Sequence, residues 1–90
     1  MQKILHHHDV LSSMRKPDAK TVRRQLGEMI RSYRVELGIS QEKLAELVDV
    51  HRNYVGKIER GEQNITINSL CRFAEVFKRS LSEMMADAGL

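Results

Sequence analysis

The sequence is poor in the features that staple or anchor a chain. It has one cysteine, Cys71, which excludes an intrachain disulfide framework and a cysteine-built zinc site within one chain. A reducing compartment, the cytoplasm, is therefore expected. Tryptophan is absent and aromatic residues make up only 4%, which disfavours a β-sandwich and favours a small helical core. No apolar run approaches the roughly 18 residues a membrane span needs. The N-terminus lacks the apolar core of a signal peptide, so no membrane association is expected.

What remains is ordinary for a soluble globular fold: 41% hydrophobic and 30% charged residues. Ninety residues suit one small domain of marginal stability, for which oligomerisation is a common remedy. The net charge of +3 is unevenly spread. Residues 1–39 carry eight Lys/Arg against four Asp/Glu, whereas 40–90 carry seven against eight. A basic front half invites a nucleic-acid partner, although Arg15, Lys16, Lys20, Arg23 and Arg24 would also suit a plain solvated face.

Residues 1–17 have no sustained helical stripe and are closed by Pro17, the single proline; they read as a flexible N-terminal arm. The adjacent His6, His7 and His8 point in different directions on any regular backbone and form no preformed metal site. They read as a polar tract or a tag remnant, and neither a metal nor a cofactor is expected.

From Asp18 to Leu90 the pattern is helical, and this is the expected domain. Val22, Leu26, Met29, Ile30, Tyr33 and Leu37 mark one face of a first helix, capped by Asp18 or Thr21 and ended at Gly38. Gly27 lies inside it, at a cost of about 1 kcal/mol relative to alanine, and suggests close packing. Ser40 caps a second helix through about Val48, with Leu44, Ala45 and Val48 inward. After a break at Asp49–Val50, a third runs from about His51 to Arg60 with Val50, Tyr54, Val55 and Ile58 inward, stopped by Gly61. A fourth spans about Thr66 to Lys78 on Ile67, Leu70, Phe73, Ala74 and Phe77. Ser80 caps a short fifth. No segment reads clearly as a strand, so the expected fold is a compact five-helix all-α domain.

The third helix has a polar outer face of His51, Arg52, Asn53, Gly56, Lys57 and Arg60. Arg and Lys can donate to guanine O6 and N7, and Asn pairs bidentately with adenine. A ten-residue helix is about 15 Å long and the major groove is about 12 Å wide, so its N-terminal end fits there. Taken alone, the same polar set suits any amphipathic helix of a bundle.

The whole stretch carries more. Leu26-Gly27-x-x-Ile30-Arg31-x-x-Arg34, Ser40-Gln41-x-x-Leu44-Ala45, Tyr54-Val55-x-x-Ile58-Glu59-Arg60-Gly61 and Ile67-x-x-Leu70-x-x-Phe73-Ala74-x-x-Phe77, then Ser80-Leu81-x-x-Met84, together resemble the lambda-repressor/Cro-like (XRE) helix-turn-helix family over about 22–86. The departures are Ile65 for a usual proline, Arg79 for a usual apolar residue, and Asp49 for the usual glycine of the turn. Asp tolerates the left-handed conformation, so the turn is expected to survive. Ile65 is expected to alter the turn before the fourth helix, and Arg79 to leave a looser junction before the fifth.

The resemblance implies a sequence-specific, non-enzymatic transcriptional regulator of double-stranded DNA, acting as a homodimer on a palindromic operator. By that resemblance His51, Arg52, Asn53 and Lys57 face base edges, while Gln41, Arg60 and Asn64 hold phosphates. Arg34 and Glu59 form a structural ion pair between the first and third helices. Phe77, Leu81, Met84, Met85 and Leu90 are expected as an apolar C-terminal patch that forms the dimer interface, the alternative being that they finish the monomer core. Short members of the family include Cro-like repressors, antitoxins and restriction–modification controller proteins, and a controller-like or Cro-like regulator is the expectation. The second reading is an antitoxin-type module that binds a partner protein and autoregulates its operon; Ile4, Leu5, Val10, Leu11 and Met14 are the thin apolar supply for that contact. No nucleophile–base pair, paired carboxylate motif or glycine-rich phosphate loop suggests an enzyme.

Overall fold

A computed structural model describes residues 18–90. The expectations placed on 1–17 (the arm, the histidine tract and the apolar residues for a protein partner) lie outside the described residues. Five helices follow in order among the described residues: α1 Ala19–Leu37, α2 Gln41–Val48, α3 Arg52–Glu59, α4 Ile67–Phe77 and α5 Leu81–Asp87. None is long and apolar enough to cross a membrane.

Local chemistry sets the boundaries. Asp18 caps α1, its carboxylate accepting the Lys20 N–H at 3.2 Å, while the Thr21 hydroxyl only supports that carboxylate at 3.1 Å. Ser40 and Thr66 cap α2 and α4 through the N–H groups of Lys43 and Ser69. Ser80 and Glu83 form a reciprocal capping box on α5, and the backbone N–H of Ser80 holds the Glu83 carboxyl below the usual range. Three helices end on a left-handed residue: Gly38 at φ 71°, Asp49 at φ 64° and Lys78 at φ 57°. Asp49 thus makes the turn without glycine, at the modest cost such residues carry in this region.

The backbones of α1 and α3 approach each other closely. A Cβ at Gly27 of α1 would lie 2.1 Å from the Ile58 carbonyl oxygen and 3.0 Å from that of Glu59. Helix α1 therefore rests directly on the end of α3. Around this crossing Ile30, Leu44, Val48, Val55, Ile58, Phe73 and Met84 are almost fully buried. Tyr33 meets the edge of Phe77 at 5.0 Å, and Phe73 stacks on Phe77 at 6.1 Å.

Several expected positions come out differently. Leu37 and Ile67 are 52% and 71% exposed, because each lies at a helix end where the stripe continues but its packing partners do not. Phe77 and Met84 are core residues at 8% and 0% exposure, not part of a free dimer patch. Helix α5 packs on both α4 and α1, and Met84, near its middle, is fully buried. Ile65 is partly buried against the core.

Arg79 does not loosen its junction. Its guanidinium lies 5.0 Å from the centre of the Tyr33 ring and pairs with Asp87 at 3.8 Å and Glu36 at 3.9 Å. The Tyr33 hydroxyl donates to Asp87. Burial, that hydrogen bond and the nearby negative charge push the Tyr33 phenol up to about 12. This cluster fastens α5 to α1.

Gly27→Ala gains about 1 kcal/mol of helix propensity yet is expected to destabilise the fold by about 2 kcal/mol or more, since backbone must move. Urea unfolding checks this, and a variant as stable as the wild type would contradict the close crossing.

Candidate nucleic-acid interface

Helices α2 and α3 are joined by a three-residue turn, Asp49–His51. The Val50 N–H donates to the Ala45 carbonyl at 3.0 Å, and Arg72 of α4 donates to the Asp49 carbonyl at 3.2 Å. Val55 and Ile58 are buried, so α3 is held by its inner face and presents the opposite one. His51, Arg52, Asn53, Lys57 and Arg60 are all exposed on it.

His51 is the N-cap of α3. Its Nδ1 accepts the Asn53 N–H at 3.1 Å, which fixes the ring and leaves Nε2 as an outward donor. Arg52, Asn53, Gly56, Lys57 and Arg60 line one wall of a groove of about 520 Å³; Ser40, Gln41 and Glu42 from the start of α2 line the other. A Cβ at Gly56 would sit 3.3 Å from Arg60 Nη1 and 3.5 Å from Gln41 Oε1, so the glycine keeps the groove open.

Behind the groove, bonded to its lining residues Arg34 and Gln41, lies a buried carboxylate. The Glu59 side chain is 2% exposed and the Arg34 side chain 14%. Arg34 donates to Glu59 from Nε at 2.6 Å and from Nη2 at 3.0 Å, and from Nη1 to the Ile39 carbonyl at 2.9 Å. Gln41 Nε2 donates to the same carboxylate at 3.0 Å. The hydrogen bond to Glu59 raises the Arg34 pKa further, against the cost of desolvation. One carboxylate thus ties the end of α1, the start of α2 and the end of α3.

Two further expected residues follow the end of α3 and pair with neighbours. Arg60 ends α3 and pairs with Glu62 at 3.2 Å. Asn64 accepts from Arg23 of α1 at 3.3 Å, and its backbone carbonyl accepts from the Tyr54 hydroxyl at 3.4 Å. The groove unites Gln41 with Arg52, Asn53, Lys57 and Arg60 but leaves His51 and Asn64 outside its lining. Sequence reasoning missed the Gln41–Glu59 bond, the Arg23–Asn64 bond and the approach of Glu42 to Arg52. Each joins residues of different elements, helix to helix or helix to loop, and no spacing within one helix signals it.

A family model described as helix-turn-helix (HTH_3) matches residues 30–84. The chain belongs to the helix-turn-helix family. As a member it is a DNA-binding transcriptional regulator. Among its relatives, the control protein C.SmaI of Serratia marcescens is 40% identical over 65 residues, 72% of this chain and 77% of that protein. The crystal structure of the restriction–modification controller protein C.AhdI from Aeromonas hydrophila superposes with a TM-score of 0.66 at 32% identity, covering 69% of this chain and 94% of that one. The clp gene regulator ClgR of Corynebacterium glutamicum gives a TM-score of 0.72 at 26% identity, covering 76% of this chain and 72% of that one. The two helices that flank the turn here are α2 and α3.

The two halves of the buried ion pair are unequal. Arg34→Ala strands the Glu59 carboxylate away from water and is expected to cost about 3–5 kcal/mol. Glu59→Ala leaves a guanidinium that still reaches solvent, and is expected to cost less. Denaturant midpoints of the two variants check the order.

Proposed function

We infer that this chain is a short controller-type regulator in the cytoplasm, without enzymatic activity, that binds an operator through residues 18–90. The observation that carries the reading is the exposed face of α3: Arg52, Asn53 and Lys57 project into one open groove beside the N-terminus of α2. Arg52, Asn53 and Lys57 read base edges, and His51 adds an outward donor at the head of the helix. Gln41, with the positive end of α2 behind it, holds a phosphate; Arg60 and Asn64 hold the backbone beyond α3. The relatedness to C.SmaI and C.AhdI supports a place in the control of restriction–modification genes.

A domain of this size reads few base pairs, so two copies on a palindrome supply the needed specificity, with recognition helices about 34 Å apart. With Phe77 and Met84 in the core, the surface left for self-association is Leu81, Leu90 and the half-buried Met85. Leu81 and Leu90 are 39% and 49% exposed.

Two experiments test this. On a duplex selected from a random pool, Ala at Arg52, Asn53 or Lys57 is expected to cost about 1–3 kcal/mol and relax base preference. Gln41→Ala is expected to weaken all sequences alike. Affinity falls with salt at a log–log slope of about −0.9 per phosphate neutralised. Wild-type binding by Arg52→Ala would remove α3 from the groove. For the dimer, Leu81→Glu is expected to give a folded monomer with weaker operator binding, because dimer formation is linked to DNA binding. Sedimentation decides, and a Leu81→Glu variant that still dimerises would overturn that surface.

A further inference from the structure

The groove that faces DNA contains a group that phosphates repel. Glu42 is the one acidic residue of its lining, among the cations Arg34, Arg52, Lys57 and Arg60. Its Oε2 lies 3.8 Å from Arg52 Nη1. The Glu42 and Arg52 side chains are 76% and 65% exposed, so neither is needed to fill the core.

Their positions on the helices are complementary. Arg52 is the first residue of α3, where the positive end of the helix disfavours a cation. Glu42 is in the first turn of α2, where the same effect favours an anion. The α2 N-terminus therefore stabilises the carboxylate, and the carboxylate stabilises a guanidinium that α3 alone would repel. An arginine has five N–H donors and a guanine edge takes two, so one guanidinium can meet a base and a carboxylate together.

We propose that Glu42 is a specificity-determining positioning residue, holding the Arg52 guanidinium over the base edges and opposing its capture by backbone phosphate. The proposal rests on α3 being the reading helix. Without Glu42, Arg52 swings to any phosphate and the groove loses its one negative charge. Binding to arbitrary DNA then gains more than binding to the operator.

The test compares Kd values on two duplexes: one selected by the wild-type protein from a random pool, and a scrambled duplex of the same length and composition. The proteins are wild type, Glu42→Gln, Arg52→Ala and the double variant, with thermal unfolding confirming that each is folded. Glu42→Gln is expected to lower the ratio of selected to scrambled affinity about two- to fivefold, the scale of an exposed ion pair. In the Arg52→Ala background the same change is expected to leave the ratio alone. If Glu42→Gln shifts both duplexes equally, the carboxylate acts only as a general repulsive charge and the proposal falls, while the reading of α3 stands. A fall of the ratio that persists without Arg52 also overturns it, since Glu42 would then be reading a base itself. An Arg52→Ala protein that keeps the wild-type ratio removes the reading of α3 and this proposal with it.

Discussion

The geometry of the groove between α2 and α3 depends on one buried carboxylate. Glu59 sits at the end of α3 with almost no access to water, and an ion so placed is tolerable only with its hydrogen bonds filled. Arg34 supplies two and Gln41 a third. Their common need to reach Glu59 fixes how the ends of α1, α2 and α3 meet. An apolar cluster would stabilise as well but would let helices slide; a bidentate charge pair specifies angle and register together. Gln41 belongs to both worlds, since its side chain is part of this anchor and also of the groove wall.

The sequence made the helices and most of their inner faces legible. Capping residues such as Ser40 and Ser80 and the stripe from Leu26 to Tyr33 state their role locally, within a turn or two of chain. Asp49 was legible for the same reason, because tolerance of a positive φ is a property of the residue itself. Leu37 and Ile67 were not. Periodicity gives the direction of a side chain but not whether another helix is there to meet it. Met84 misled in the opposite sense: a short helix offers too few turns to tell its inner stripe from an exposed one.

The candidate site divides along the same line. The polar set on α3 was readable as a face, and family resemblance supplied the pairing of Arg34 with Glu59. What stayed hidden were contacts across helices. The bond from Gln41 to Glu59 and the approach of Glu42 to Arg52 depend on the crossing of α2 and α3, which the residues at the contact do not encode. Arg79 was the plainest failure. A cation at an apolar position looks like a weakness until Tyr33, Glu36 and Asp87 are found around it, after which it reads as a fastening.

The glycine under α1 bears on how the domain comes to exist. A 19-residue helix with glycine near its middle is weak as an isolated segment in water. Its middle turn gains its stabilisation only when the backbone of α3 lies against it, and α3 has just eight residues and cannot nucleate alone. Neither helix is expected to be stable on its own. The crossing that sets the outer face of α3 is therefore expected to form together with the helices it joins, rather than after them.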